Sequence, residues 1–305
     1  MRDLYRYIWK VSGRQQVVLS VLAVALFAVE LAPLELQRRI VNQAVARSEF
    51  GSIALLCVIY VAVALVHGGL KLALNVYRSS VGEAATRRLR LQVRAPDARV
   101  AHTAAEEGVA ISIVVSEVEV VGGFIASSFS VPMMNAGILV SVLGYMVYTQ
   151  PWLALVAVLL FAPQVLFIPL LQAAINRRSA ARIKVLRAMS VNIVNGAAGG
   201  GDKGFERAVD LGYRLNMEIF KRKFGMNFLM NLMYHLGVIG ILSVGSWLLL
   251  EGRTEVGTIV AFISGLNRMN DPWGDLVNFF RDLTNAGVRF RLIMARLGGK
   301  APGTA

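Results

Sequence analysis

Arg268, Asp271 and Asp275 stand in the stretch "NRMNDPWGDLVNFF" at positions i, i+3 and i+7, so at 100° per residue they share one helix face, which Asn278 extends. Ionisable residues inside an apolar helix must face a cavity or a partner, because bare lipid solvates neither charge. There they form a polar translocation surface or a gating ion pair. The plainer alternative is an Arg268–Asp271 pair within the helix, already solvated near the inner interface.

Three further groups have spacing of this kind. Asn227, Asn231 and His235 recur every fourth residue, with Tyr234 beside the last. They read as a stripe that hydrogen-bonds polar cargo, or more plainly as interhelical hydrogen bonding. His67, Lys71 and Asn75 repeat the pattern, and Lys71 reaches the inner interface by extending its long stem. Glu30 and Glu35 bracket Pro33. They suit a proton site, but the plainer expectation is a pair of solvated acids at the outer end of a helix. The histidines His67, His102 and His235 have no metal-ligand spacing to one another or to Cys57, the single cysteine. No nucleophile–base arrangement is present. Met134, Met146, Phe161, Met226, Phe228, Met230 and Met233 suit an adaptable apolar cavity and equally a core or lipid-facing surface.

"NGAAGGGDKGFE", Asn195 to Glu206, invites comparison with a phosphate-binding loop and fails it. That loop needs a lysine after glycine and before Ser or Thr, following a buried strand. Lys203 instead follows Asp202 and precedes Gly204.

The elements that position these residues are apolar. The chain of 305 residues is 56% hydrophobic and has net charge +13, from 32 Lys and Arg against 19 Asp and Glu. Its mean hydropathy is +0.57. A basic apolar chain points to a membrane. Its bases collect between the apolar runs, without the aromatic interleaving of nucleic-acid binders, so no nucleic-acid partner is expected. Six segments are long enough to cross the hydrocarbon core: Val17–Leu36, Ile53–Leu74, Val131–Tyr148, Trp152–Ile175, Phe228–Leu250 and Val256–Phe280. The first is too long for a signal peptide and lacks a clean cleavage site, so it reads as retained.

Lys and Arg counts set the orientation. One side receives four in the N-terminal arm, six in Tyr77–Ser130, eleven in Asn176–Asn227 and five from Arg281 onward. The other receives three, none and Arg253 alone. The positive-inside rule puts both termini and both long loops in the cytoplasm. The loops are 54 and 52 residues long and rich in Ala, Arg and Leu, so each is expected to be a helical hairpin. Limbs of about 25 residues project about 37 Å. The first hairpin turns around Ala101 to Gly108, and the glycines of the second mark its tip near Gly201.

At this point the chain resembles the transmembrane domain of ABC exporters of the type IV fold, the type 1 transmembrane region of ABC transporters. "GVAISIVVSEVEVV" resembles the family pattern G-E-x-x-S-x-x-x-x-D-V through Gly108, Ser112 and Val118, with Glu117 in place of the aspartate. "GRTEVGTIVAF" resembles the start of the sixth helix, Pro272 fits the proline further along it, and "NAGVRFRLIMARL" resembles the exit toward an ATPase. The G-I-x-x-V-K-x-F pattern expected at the second turn is only partly kept, in Lys203 and Phe205, and the aromatic residues expected before Gly108 are missing.

The resemblance covers about residues 10–297 and implies an all-α membrane protein. It has six transmembrane helices and two long cytoplasmic helical hairpins, forms a domain-swapped dimer and sits in a bacterial inner membrane. Residues 1–297 form this domain and 298–305 a flexible tail. The resemblance also implies two coupling helices that dock on an ATPase. Their tips are Ala101–Ser116, including His102, Glu106, Glu107, Gly108 and Ser112, and Gly199–Arg207, including Gly201, Asp202, Lys203 and Phe205. Arg268, Asp271, Asp275, Asn231 and His235 would line the translocation pathway. No Walker A sequence occurs in the chain. The ATPase is a separate subunit, or the chain is a fragment, or no ATPase is used. The first expectation is a permease working by alternating access, with no cofactor of its own and ATP and magnesium on a partner subunit. Its other partners are membrane lipid and a second copy or homologous subunit. The alternative is a proton-driven secondary transporter on the same fold.

Overall fold

The computed structural model describes residues 2–94, 117–194 and 203–296. Among these the chain is helical, with no strand. The elements are α1 (Arg2–Val29), α2 (Ala32–Val45), α3 (Phe50–Arg94), α4 (Val118–Ser127), α5 (Ser130–Thr149), α6 (Pro151–Val194), α7 (Lys203–Leu250) and α8 (Val256–Arg296). Five helical stretches are long and apolar enough to cross a membrane: Arg2–Val45, Phe50–Gln92, Ser130–Thr149, Pro151–Leu186 and Gly204–Leu250. They mark an integral membrane protein. α8 is long enough, but its apolar run stops at Leu266, where Asn267, Arg268, Asn270 and Asp271 follow. It continues past the apolar segment's end at Phe280 to Arg296, through the stretch "NAGVRFRLIMARL" that resembles the exit toward an ATPase.

The first expected segment is broken. Pro33 has no N–H to donate to the carbonyl of Val29, and the helix restarts at Ala32 after a turn at Glu30 and Leu31. A second irregularity lies at Ser12, whose φ of −136° and ψ of 22° kink α1. Its hydroxyl donates to the Ile8 carbonyl (2.9 Å), and Gln16 Nε2 donates to Ser12 Oγ (3.1 Å) and to the Ile125 carbonyl (2.8 Å). The kinked arm before it is a packed element: Leu4, Tyr7 and Ile8 are buried with Leu89, Val121, Phe124, Phe290 and Ile293.

The chain divides into two compact units, Met1–Pro151 with Glu251–Ala305, and Trp152–Leu250. In the first, α3 and α4 run antiparallel. Arg90 meets Glu119 at 3.7 Å, and Cβ atoms built on Gly122 and Gly82 would meet Thr86 and Ala126. In the second, α6 and α7 are likewise antiparallel. Gly240 lies against Val156 and Leu160, Arg182 donates to Asn216 (2.7 Å), and Arg178 pairs with Glu218. Both antiparallel pairs fit the expected hairpin direction, the turns themselves lying outside the described residues. The tip residues Ala101, His102, Glu106, Glu107, Gly108, Ser112, Gly199, Gly201 and Asp202, and the tail 298–305, lie outside the described residues. Lys203, Phe205 and Arg207 fall in the first turns of α7. At 44 and 48 residues, α6 and α7 are about 66 and 72 Å long, more than twice the roughly 30 Å of a bilayer core.

Candidate functional site: a charged cavity in the first unit

The two polar stripes on α3 and α8 face one cavity. His67, Lys71 and Asn75 line it from α3, and Arg268, Asp271, Asp275 and Asn278 line it from α8. Helical periodicity places each stripe on one face, and packing of α3 and α8 around α1, α4 and α5 turns both faces inward. The cavity measures about 540 Å³.

Glu30 forms its buried node. It is only 8% exposed, so the expectation of a solvated acid is overturned: the turn forced by Pro33 points Glu30 into the protein. His67 Nε2 lies 2.7 Å from one carboxylate oxygen. Arg268 forms an ion pair with the other and also donates to the Glu30 carbonyl at 3.3 Å. An anion withdrawn from water is thereby matched by a cation and a third polar group on a different helix, as a buried charge requires. Arg268 is therefore paired with Glu30 in the turn between α1 and α2 and makes no salt bridge to Asp271 or Asp275, so the intrahelical pairing expected as the plainer alternative is not formed. Pro272, also on the cavity wall, cannot donate to the carbonyl of Arg268 and leaves that acceptor free of its usual helical partner.

The remaining charges are more open. Asp271, Asp275 and Lys71 are exposed, and Arg78 donates to Asn75 Oδ1. Leu26, Met134, Ile138 and Phe279 complete the wall with apolar surface.

Glu35 also has partners. Its carboxylate accepts from Arg38 (2.9 Å), Arg39 (2.7 Å) and the Tyr145 hydroxyl (3.0 Å). Arg38 in turn lies 3.6 Å from Glu255, and Asn42 Oδ1 accepts from the Gly257 N–H at 2.8 Å. This network fastens α2 to α5 and to the start of α8. Glu117, in the stretch that resembles the family motif, pairs with Arg289 of α8 at 2.6 Å. Sequence reasoning missed both ties, because each joins distant positions with no shared period.

Asn231 and His235 lie in the second unit, exposed on α7, with the His235 ring 5.5 Å from Tyr234. They are not among the residues of the cavity. Among the described residues no three His, Cys, Asp or Glu side chains come together as a metal site. No family model matches the chain, and no curated protein matches it.

Proposed function

We propose that the chain is the membrane-spanning permease subunit of an ATP-driven transporter. It works by alternating access, as a dimer with a second copy or a homologous subunit, and takes its energy from a separate ATPase. The observation that carries this reading is the charged cavity. Seven charged side chains and His67 surround a space among apolar helices long enough to cross a membrane, and charge placed there marks a pathway. The hairpins support it, since helices twice as long as a bilayer is thick extend far enough to meet a soluble partner. On this reading Ala101–Ser116 and Gly199–Arg207 dock on the ATPase in the cytoplasm. Asn231 and His235 join the pathway in the assembled dimer. The test is purification of the chain with its partner, followed by reconstitution in vesicles. Vanadate-sensitive, ATP-dependent flux is the expected result; flux indifferent to ATP rejects the reading.

One observation favours a second reading, a proton-driven transporter on the same fold. The Glu30 carboxylate lies in the cavity wall, shared between His67 and Arg268. Flux that follows an imposed pH gradient without ATP, and is lost in Glu30→Gln, selects this alternative.

A further inference from the structure

We infer that the cavity binds a small zwitterion with an apolar substituent, its ammonium group on the Asp271/Asp275 side and its carboxylate on the Lys71/Arg78 side. The inference rests on the transport reading and names the ligand class of the same site.

Charge bookkeeping leads to it. Glu30, Arg268 and His67 satisfy one another, and Asp282 is paired with Arg281 at 3.1 Å. That leaves Asp271 and Asp275 on α8 and Lys71 and Arg78 on α3. None of these four forms a salt bridge among the described residues. Asp275 is nonetheless close enough to Asp271, Arg78 and Lys71 to interact with each electrostatically. Two anions on one helix face two cations on another, too far apart to neutralise each other by contact.

Such a cavity has little net charge and carries opposite signs on its facing α3 and α8 walls. A simple anion or cation would satisfy one pole and be repelled by the other. A dipolar ligand satisfies both, and its charge-assisted hydrogen bonds are the strong kind. The rest of the wall selects further. Met134 and Ile138 on α5 and Phe279 on α8 offer apolar surface beside the poles, and Met adapts to varied shapes. About 540 Å³ lies within the range of small-molecule sites and below what a folded polypeptide needs. An amino acid or short peptide with free termini and an aliphatic side chain has this chemistry.

The test uses the purified full chain in detergent, with leucine and leucyl-leucine as probes in equilibrium binding. Blocking either end, as the N-acetyl or the C-amide form, should weaken binding about tenfold or more, the value of one charge-assisted hydrogen bond. The variants separate the poles. Lys71→Gln should weaken the preference for a free carboxylate, Arg78 remaining on that side, and keep that for a free amine. Asp275→Asn should do the reverse. Equal binding of free and blocked forms overturns the inference, as does binding of neither probe by a chain that still melts cooperatively. The same two charges occur on a phosphatidylethanolamine headgroup. Nanodiscs of that lipid that displace leucyl-leucine, where phosphatidylglycerol nanodiscs do not, assign the poles to lipid and overturn the soluble ligand. Failure of the transport reading looks different: zwitterion binding persists while reconstituted vesicles show no flux.

Discussion

Glu30 illustrates how one side chain depends on residues far away in the chain. Its replacement by Gln leaves Arg268 without its counter-charge in a site that is three-quarters closed to solvent. Breaking a fully buried pair costs about 3–5 kcal/mol, and the partial exposure of Arg268 makes this an upper bound. Arg268→Met should cost a similar amount, whereas the double variant Glu30→Leu/Arg268→Met should be less destabilised than either single change, because it leaves no orphan charge. Thermal unfolding followed by tryptophan fluorescence reads the cycle; additive losses would show that the two residues act independently. The stripes on α3 and α8 were legible in the sequence because spacing of three and four residues is a local signal. Their convergence was not. An acid three positions before Pro33 looks like a helix end, and nothing near it announces a partner 238 positions away.

The elements were more legible than their contacts. Apolar length located five of the six expected spans, and the near-equal polar stretches fall where the antiparallel helix pairs lie. The break in the first segment was readable from Pro33, and the run of α8 past Phe280 from the stretch "NAGVRFRLIMARL". Two backbone features lead to tests. Arg47 closes α2 with a positive φ of 54°, its N–H donating to Ala44 and that of Ser48 to Gln43, an arrangement that usually employs glycine. Arg47→Gly should therefore stabilise the protein by about 1 kcal/mol, given the cost of left-handed backbone for a residue with a Cβ; a lowered melting temperature would mean that the Arg47 side chain matters more than its backbone. Gly122 allows α3 and α4 to approach, and a Cβ there would lie 3.0 Å from Thr86 Cα. Gly122→Val should cost about 1–3 kcal/mol through overpacking and weaken protease resistance across the first hairpin. On the docking reading, replacing both Gly199 and Gly201 with Val should reduce ATPase association more than Lys203→Ala, since an exposed ion pair is worth about 0–1 kcal/mol. A nucleotide-binding loop would give the opposite order.

For the whole molecule, the decisive quantities are orientation and copy number. Cys57 is exposed and must first be replaced by serine. Single cysteines at Ser179 and Ala208 should then resist impermeant reagents applied to intact cells, while one at Glu255, whose side chain is 61% exposed, should react. Reaction of the first two from outside would invert the topology. Cross-linking in native membranes should recover a dimer, because a closed two-fold arrangement can shield the polar face of α8. Monomer alone, with and without an ATPase, would count against it.

The packing of the N-terminal arm against the last helix sets a timetable. Tyr7 and Phe290 have ring centroids 5.2 Å apart, and Leu4 and Ile8 share their cluster with Ile293. At about 5–20 residues per second of synthesis, Leu4, Tyr7 and Ile8 wait about 15–60 s for Phe290 and Ile293. The burial of the arm, begun against Leu89, Val121 and Phe124, is thus completed only once the last turns of α8 emerge. A product interrupted before Phe290 keeps part of the apolar face of Leu4, Tyr7 and Ile8 uncovered, the kind of exposed surface that invites aggregation and triage.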